Sequence, residues 1–197
     1  MWTDDSRLKR PEAAGSVSKR NNALVSFMIA LQPSAGPALV VGGGTVAARK
    51  VAALVEAGFA VTVVAPRIAD AIAAHARVTV VSRRFEFEDL GPGAGYAVVF
   101  ACTDAREVNR LVGELARAAG IPVNVCDEQS ESTFFSPATL RQGDVAVAVS
   151  TGGASPLLAR EIRGRVAAAL GYELAQGAAT ARAERQQRLG RDGGSAN

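Results

Sequence analysis

The sequence predicts an α/β fold built on a doubly wound parallel sheet, and three observations carry that expectation. Short apolar runs alternate with stretches of helical spacing from Ala38 to Cys126, and runs this continuous suit strands buried on both faces. Aromatic residues make up only 5% of the chain against 48% hydrophobic overall, so the core must be built from Ala, Val and Leu, as in a sheet covered by Ala-rich helices. At 197 residues the chain has the length of one ordinary globular domain with a small appendage.

Residues 1–22 are polar, charged and aperiodic, which predicts a flexible leader. Strands are expected at Ala38–Val41, Phe59–Val64, Val78–Ser82, Tyr96–Ala101 and Ile121–Cys126. Between them, helices are expected at Thr45–Ala57, closed by Gly58, at Arg67–His75, and at Ala105–Ala119, closed by Gly120. The stretch RRFEFEDL (83–90) reads as a polar edge segment or a loop. Strands alternating with such helices form a parallel sheet through right-handed crossovers.

Past Asp127 the pattern changes. STFFSPATLRQGDVAVAVS (132–150) holds strand-like runs around a turn at Gln142–Asp144 with no helix between them, which predicts an antiparallel hairpin. A helix follows, with Ser155 as its cap and Pro156 in the first turn, where a missing donor costs nothing. A second helix is expected over Tyr172–Leu189, and the last residues, 191–197, read as a disordered tail.

The net charge of +3 comes almost wholly from arginine, weighted to Arg7–Arg20 and Arg160–Arg191. Neither run is interleaved with aromatics, which argues against nucleic acid as a partner and leaves acidic small molecules. The apolar stretch Ala23–Leu31 is shorter than the about 20 residues a membrane span needs, and nothing resembles a signal-peptide cleavage site, so a cytoplasmic protein is expected. Cys102 and Cys126 stand apart without metal-ligand spacing and read as free core thiols rather than a disulfide or metal pair. The single histidine, His75, falls on an expected surface helix, which removes the commonest acid/base catalyst and metal ligand.

Three stretches carry chemistry. Gly42-Gly43-Gly44-Thr45-Val46-Ala47 fits G-x-G-x-x-[GA] between a strand and a helix. There Gly42 makes the turn, Gly44 admits a pyrophosphate to the backbone, and Ala47 allows close packing. The acidic residue that usually ends the second strand is absent, the position reading Val64-Ala65-Pro66-Arg67; the ribose must then meet backbone near Ala65, and Arg67 leaves NADP open. Asp127 follows a buried strand, where it can serve as a general base or cap a turn, and the residues alone favour the cap. Asp104 precedes a helix and reads as its cap before it reads as a cofactor contact. Thr151, Gly152 and Ser155 open the last main helix, with Arg160 and Arg163 one and two turns on; this is an anion site or a plain capped connection.

LVVGGGTVAARKVAALVEAGFAVTVVAP, VFACTDAREVNRLV, IPVNVCDEQSESTFFSPATL and VAVAVSTGGASPLLAREIR, in this order, resemble the precorrin-2 dehydrogenase family, the amino-terminal module of siroheme synthases. The likeness runs from about Leu24 to Leu170. It implies a Rossmann-type doubly wound sheet over 23–127, an added β-hairpin dimerisation region over 128–150, and a C-terminal helical segment over 151–190. The implied activity is NAD-dependent oxidation of precorrin-2 to sirohydrochlorin, followed in some members by insertion of ferrous iron. A non-catalytic NAD(H) sensor, or an enzyme of a related tetrapyrrole route, are the alternatives.

The resemblance also implies roles. Asp127 becomes the catalytic residue, against the reading from the residues alone. Gly42, Gly43, Gly44, Thr45, Val46, Ala65, Pro66, Thr103 and Asp104 fall on NAD contacts. Thr151, a position phosphorylated in some members, joins Gly152, Ser155, Arg141, Arg160 and Arg163 around the substrate's carboxylates, and the protein is expected to be a homodimer through the Val145–Val149 edge. Gln129, Ser132 and Thr133 depart from the family pattern and place the shape of their loop in question.

Overall fold

A computed structural model describes residues 26–143 and 145–170, together with 177, 180, 181, 184, 185, 187 and 188. The expected leader, the tail, and the turn position at Asp144 lie outside the described residues, as do both ends of the last expected helix; the described residues between 177 and 188 are helical.

Strands β1 (Ala38–Val41), β2 (Val61–Val64), β3 (Val78–Val81), β4 (Val98–Ala101) and β5 (Val123–Val125) form one sheet in the order β3-β2-β1-β4-β5, and every neighbouring pair is parallel. The helices between them are α1 (Thr45–Glu56), α2 (Asp70–Ala73) and α3 (Arg106–Ala118). The doubly wound parallel sheet expected from the alternation is therefore present.

Side chains of a strand alternate between faces, and both faces of β1 are buried. Ala38 and Val40 pack under α1 with Val51, Val61, Val63, Ile72 and Phe100. Leu39 and Val41 pack under α3 with Val99, Val112, Ala116 and Val123. This two-sided burial is why the strands read as unbroken apolar runs.

The strands after α1 and α3 begin later than the sequence suggests, for one shared reason. Phe59 donates its N–H to Leu54 at 3.0 Å and Ile121 donates to Ala116 at 2.8 Å, so the residue after each closing glycine finishes the helix instead of entering the sheet. α2 is a single turn that starts only at Asp70: Ala69, its N-cap, is extended and gives its N–H to Gly43 at 3.0 Å. RRFEFEDL forms no edge strand: its first half is a loop, and Phe87–Leu90 closes it as a single 3-10 turn. Arg83 grips Asp89 through two bonds of 2.8 and 2.6 Å and holds that carboxyl below its ordinary pKa.

The hairpin is present as β6 (Ala138–Gln142) and β7 (Val145–Val149), antiparallel and separate from the main sheet. The following helix, α4 (Pro156–Ala169), packs against both of its strands, burying Ala159. Among the described residues no helix is long and apolar enough to cross a membrane. Leu39 is wholly buried at the centre of the sheet, so Leu39→Ala is expected to cost about 2–5 kcal/mol in equilibrium urea unfolding. A loss below about 1 kcal/mol would contradict a close-packed centre.

Candidate functional site

The chain leaves β1 and β4 toward opposite faces of the sheet, so the carboxyl ends of these two neighbours part and open a crevice. Gly42 ends β1 at φ 123°, and its N–H donates to Val64 at 3.0 Å. A Cβ on Gly42 would stand 2.5 Å from the Cys102 carbonyl oxygen, and one on Gly43 would run into the carbonyl of Arg67. Three strand exits thus meet at backbone distance, and only glycine fits both places.

Gly44 is different: among the described residues nothing lies within 4 Å of where its Cβ would point. It is the N-cap of α1, it offers no side-chain acceptor, and the first turn contains no acid. There is therefore free space beside Gly44, at the end of α1 where the leading N–H groups, from Gly44 through Thr45 and Val46, have no partner within the helix and the helix end is positive. These residues fit a dinucleotide's pyrophosphate, which supplies the acceptors this turn lacks. Ala65 is buried at the end of β2, with its N–H on Val81 at 3.2 Å, while Pro66 and Arg67 are exposed beside the turn.

The β4 wall is set by a residue outside the sequence motifs. Asn109, buried on α3, accepts from the Thr103 N–H at 2.9 Å and from its hydroxyl at 2.7 Å, and donates to the Thr103 carbonyl at 3.0 Å. The sequence signal was an asparagine on an otherwise apolar helix face. Asp104 does not cap α3: the N-cap is Ala105, which has no side-chain cap, and it is Thr103 Oγ1 that accepts the Ala105 N–H at 3.2 Å. Asp104 stands exposed next to the crevice.

On the β5 wall Asp127 is exposed, with Arg106 of α3 at 3.9 Å. Arg106 also donates to Glu131, and that hydrogen bond, with the carboxylate's charge, raises the guanidinium's pKa. Glu128 accepts from the Ser130 hydroxyl and N–H, which lowers its pKa. The outer edge of β5 is closed by two of the three residues that depart from the family pattern. Ser132 Oγ accepts from Val125 N–H at 2.9 Å, and Thr133 both accepts from Val123 N–H and donates its own N–H to the Val123 carbonyl at 2.8 Å. Lys50, also unforeseen, reaches from α1 to Ser136 at 3.0 Å across the Phe100 ring.

The loop before α4 behaves as its hydroxyls predict. Ser155 caps α4 by accepting from Leu158 at 3.2 Å, and Thr151 Oγ1 accepts from Ser155 N–H at 3.0 Å and lies 3.1 Å from its carbonyl. Gly152 gives its N–H to Ser150, and the Gln129 amide lies over Gly153, joining this loop to the Asp127 loop. Arg160 and Arg163 are exposed on α4. Arg141 is not brought to the crevice. It lies 3.9 Å from Glu56, at the far end of α1, about 18 Å along that helix from its cradle end.

The two cysteines are not isolated. Cys102 and Cys126 follow paired residues of β4 and β5, and their sulfurs lie 2.8 Å apart as free thiols. Spacing of 24 in the sequence hid a contact that strand register creates.

Sheet, switch point and uncapped glycine turn together define a Rossmann-type dinucleotide-binding protein. The chain belongs to the family described as "Putative NAD(P)-binding", whose model matches residues 29–138. Residues 142–169 match the model described as "Sirohaem biosynthesis protein central", so the family resemblance read from the sequence is borne out. The chain is 44% identical over 130 residues to the siroheme synthase of Methylococcus capsulatus, covering 66% of this chain and 27% of that protein. It is 38% identical over 150 residues to that of Gluconacetobacter diazotrophicus, covering 73% and 32%. The chain thus spans between a quarter and a third of the length of these curated relatives. The solved structure of SirC, precorrin-2 dehydrogenase, is similar with a TM-score of 0.62 at 28% identity, covering 77% of this chain and 74% of that one.

Because Asn109 holds Thr103 through three bonds, Asn109→Ala is expected to lower stability by about 1–3 kcal/mol and to weaken dinucleotide binding. Thermal unfolding and calorimetric titration with NAD+ measure the two effects, and unchanged values in both would remove Asn109 as the support of this wall.

Proposed function

We propose that the protein oxidises precorrin-2 to sirohydrochlorin with NAD+ as the acceptor. The observation that carries this reading is the pairing of an uncapped anion cradle on α1 with a carboxylate, Asp127, at the same edge of the sheet. β1 and β5 are two strand spacings apart, about 10 Å, which supports a crevice shared by cofactor and carboxylate. The siroheme synthase relatives and the precorrin-2 dehydrogenase neighbour support the choice of substrate.

The bound nicotinamide supplies the hydride acceptor. The chain's own residues do the rest. The first turn of α1 holds the pyrophosphate, Thr103 and Asp104 line the nicotinamide side, and the backbone at Ala65 and Pro66 meets the ribose. Asp127 takes the proton that leaves as the substrate loses a hydride, so that precorrin-2 and NAD+ give sirohydrochlorin, NADH and one proton. Arg106 holds the carboxylate in place from α3. The Thr151–Ser155 loop, Arg160 and Arg163 meet the substrate's carboxylates, and its tie to Gln129 couples that contact to the Asp127 loop. Arg141, remote from the crevice within one chain, serves this role only across a dimer.

A homodimer is part of the proposal. Both edges of the β6–β7 ribbon are unpaired by the main sheet, and Leu157, Leu158 and Ile162 are exposed on α4 beside it. Two-stranded ribbons gain stability by pairing or by being covered. Ferrous iron, where a chelatase step follows, is a substrate met by the macrocycle, with Asp127 accepting pyrrole protons.

Anaerobic incubation with precorrin-2 and NAD+ is expected to give NADH and the sirohydrochlorin spectrum in equal amounts, slower with NADP+. Asp127→Asn is expected to slow turnover by about 100-fold or more while leaving NAD+ affinity within about twofold. Full activity in Asp127→Asn would remove the carboxylate from the mechanism, and NAD+ binding without any oxidation would favour the sensor. Leu157→Asp is expected to shift the protein from dimer to monomer in light scattering; a wild-type monomer would end the dimer proposal.

A further inference from the structure

We propose that Cys102 and Cys126 form a redox-active pair in the floor of the crevice, a modification site where a peroxide converts the two thiols into a reversible intramolecular disulfide. The inference rests on the geometry of two strand ends and holds whatever substrate the crevice takes.

Ala101 and Val125 are partners in the β4–β5 ladder, and Cys126 donates its N–H to Ala101 at 2.9 Å. The cysteines that follow therefore stand side by side, and adjacent strands lie about 4.8 Å apart, inside the roughly 4.4–6.8 Å window that a disulfide needs between Cα atoms. Their sulfurs are already 2.8 Å apart, so closure needs no movement of the backbone.

The two thiols are unequal in a way that assigns their parts. Cys102 is buried and Cys126 is exposed. The hydrogen bond from Cys102 favours the Cys126 thiolate; burial and the Asp127 carboxylate oppose it, Lys50 and Arg49 support it, and the balance lowers its pKa to about 7. The same bond, together with burial, pushes the Cys102 thiol up. Cys126 is the attacking sulfur and Cys102 the resolving one.

The chemistry balances in two steps. The Cys126 thiolate attacks hydrogen peroxide, the O–O bond breaks, and Cys126 sulfenic acid and hydroxide form. The Cys102 sulfur then attacks the sulfenic sulfur, an S–S bond forms, and the thiol proton leaves with the departing hydroxyl as water. Two electrons pass from the pair to the peroxide, and a dithiol returns them. Because Thr103 follows one cysteine and Asp127 the other, the new bond ties two walls of the crevice together.

The test exposes reduced full-length protein to one equivalent of hydrogen peroxide and follows intact mass with a non-reducing peptide map. The expected result is a loss of about 2 Da with a linked Cys102–Cys126 peptide, reversed by dithiothreitol. Cys102→Ser should stop at an adduct of about 16 Da that dimedone traps, and Cys126→Ser should not react on that timescale. Alkylation of wild-type Cys126 should rise through a midpoint near 7, whereas a midpoint at the ordinary thiol value of about 8.5 would remove it as the attacking group. Thiols that remain fully alkylatable after peroxide, or disulfides linking two chains, would overturn the proposal from the wild-type protein alone.

Discussion

The structure depends on the absence of two side chains at the end of β1. Gly42 lies against the Cys102 carbonyl and Gly43 against that of Arg67, so the exits of β1, β2 and β4 meet without side chains between them. That approach lets α1 start immediately after the strand and aim its first N–H groups into the crevice. A methyl group at either place would have to push one strand exit away from another, and the cradle would lose its shape before any contact with cofactor was made.

Around this turn, polar side chains do the work of absent strands. Asn109 holds the Thr103 backbone, and Ser132 and Thr133 supply partners to the open edge of β5. Buried backbone groups left unpaired cost free energy, so these substitutes fix the roots of the loops while Asp104 and Asp127 remain exposed. The Gln129 amide over Gly153 continues the chain of contacts to α4 and its hairpin. The Asp127 wall is thereby tied on one side to α3 through Arg106 and on the other to the appended half.

Most of the sheet was legible because burial on both faces writes itself as unbroken Val, Ala and Leu, and because glycines close the helices at Gly58 and Gly120. The cradle was legible for a local reason: turn, strand and helix are contiguous. What escaped was whatever depends on register between distant segments. The cysteine contact arises from the pairing of Ala101 with Val125, the Asp127–Arg106 pair from α3 passing beside β5, and the remoteness of Arg141 from the hairpin's docking near the end of α1. Proximity in the sequence points to Asp104 as the cap, whereas Thr103 provides the acceptor because Asn109 turns it inward.

Substrate, proton acceptor and thiol pair all take their places relative to the crevice between β1 and β4 as a dinucleotide site. The most direct test is a crystal structure of the protein with NAD+ bound. The pyrophosphate is expected over Gly44, within hydrogen-bond distance of the N–H groups that open α1, with the nicotinamide directed toward Thr103 and Asp127. A dinucleotide seated elsewhere, or a first turn of α1 closed to it, would rule out this crevice as the cofactor site.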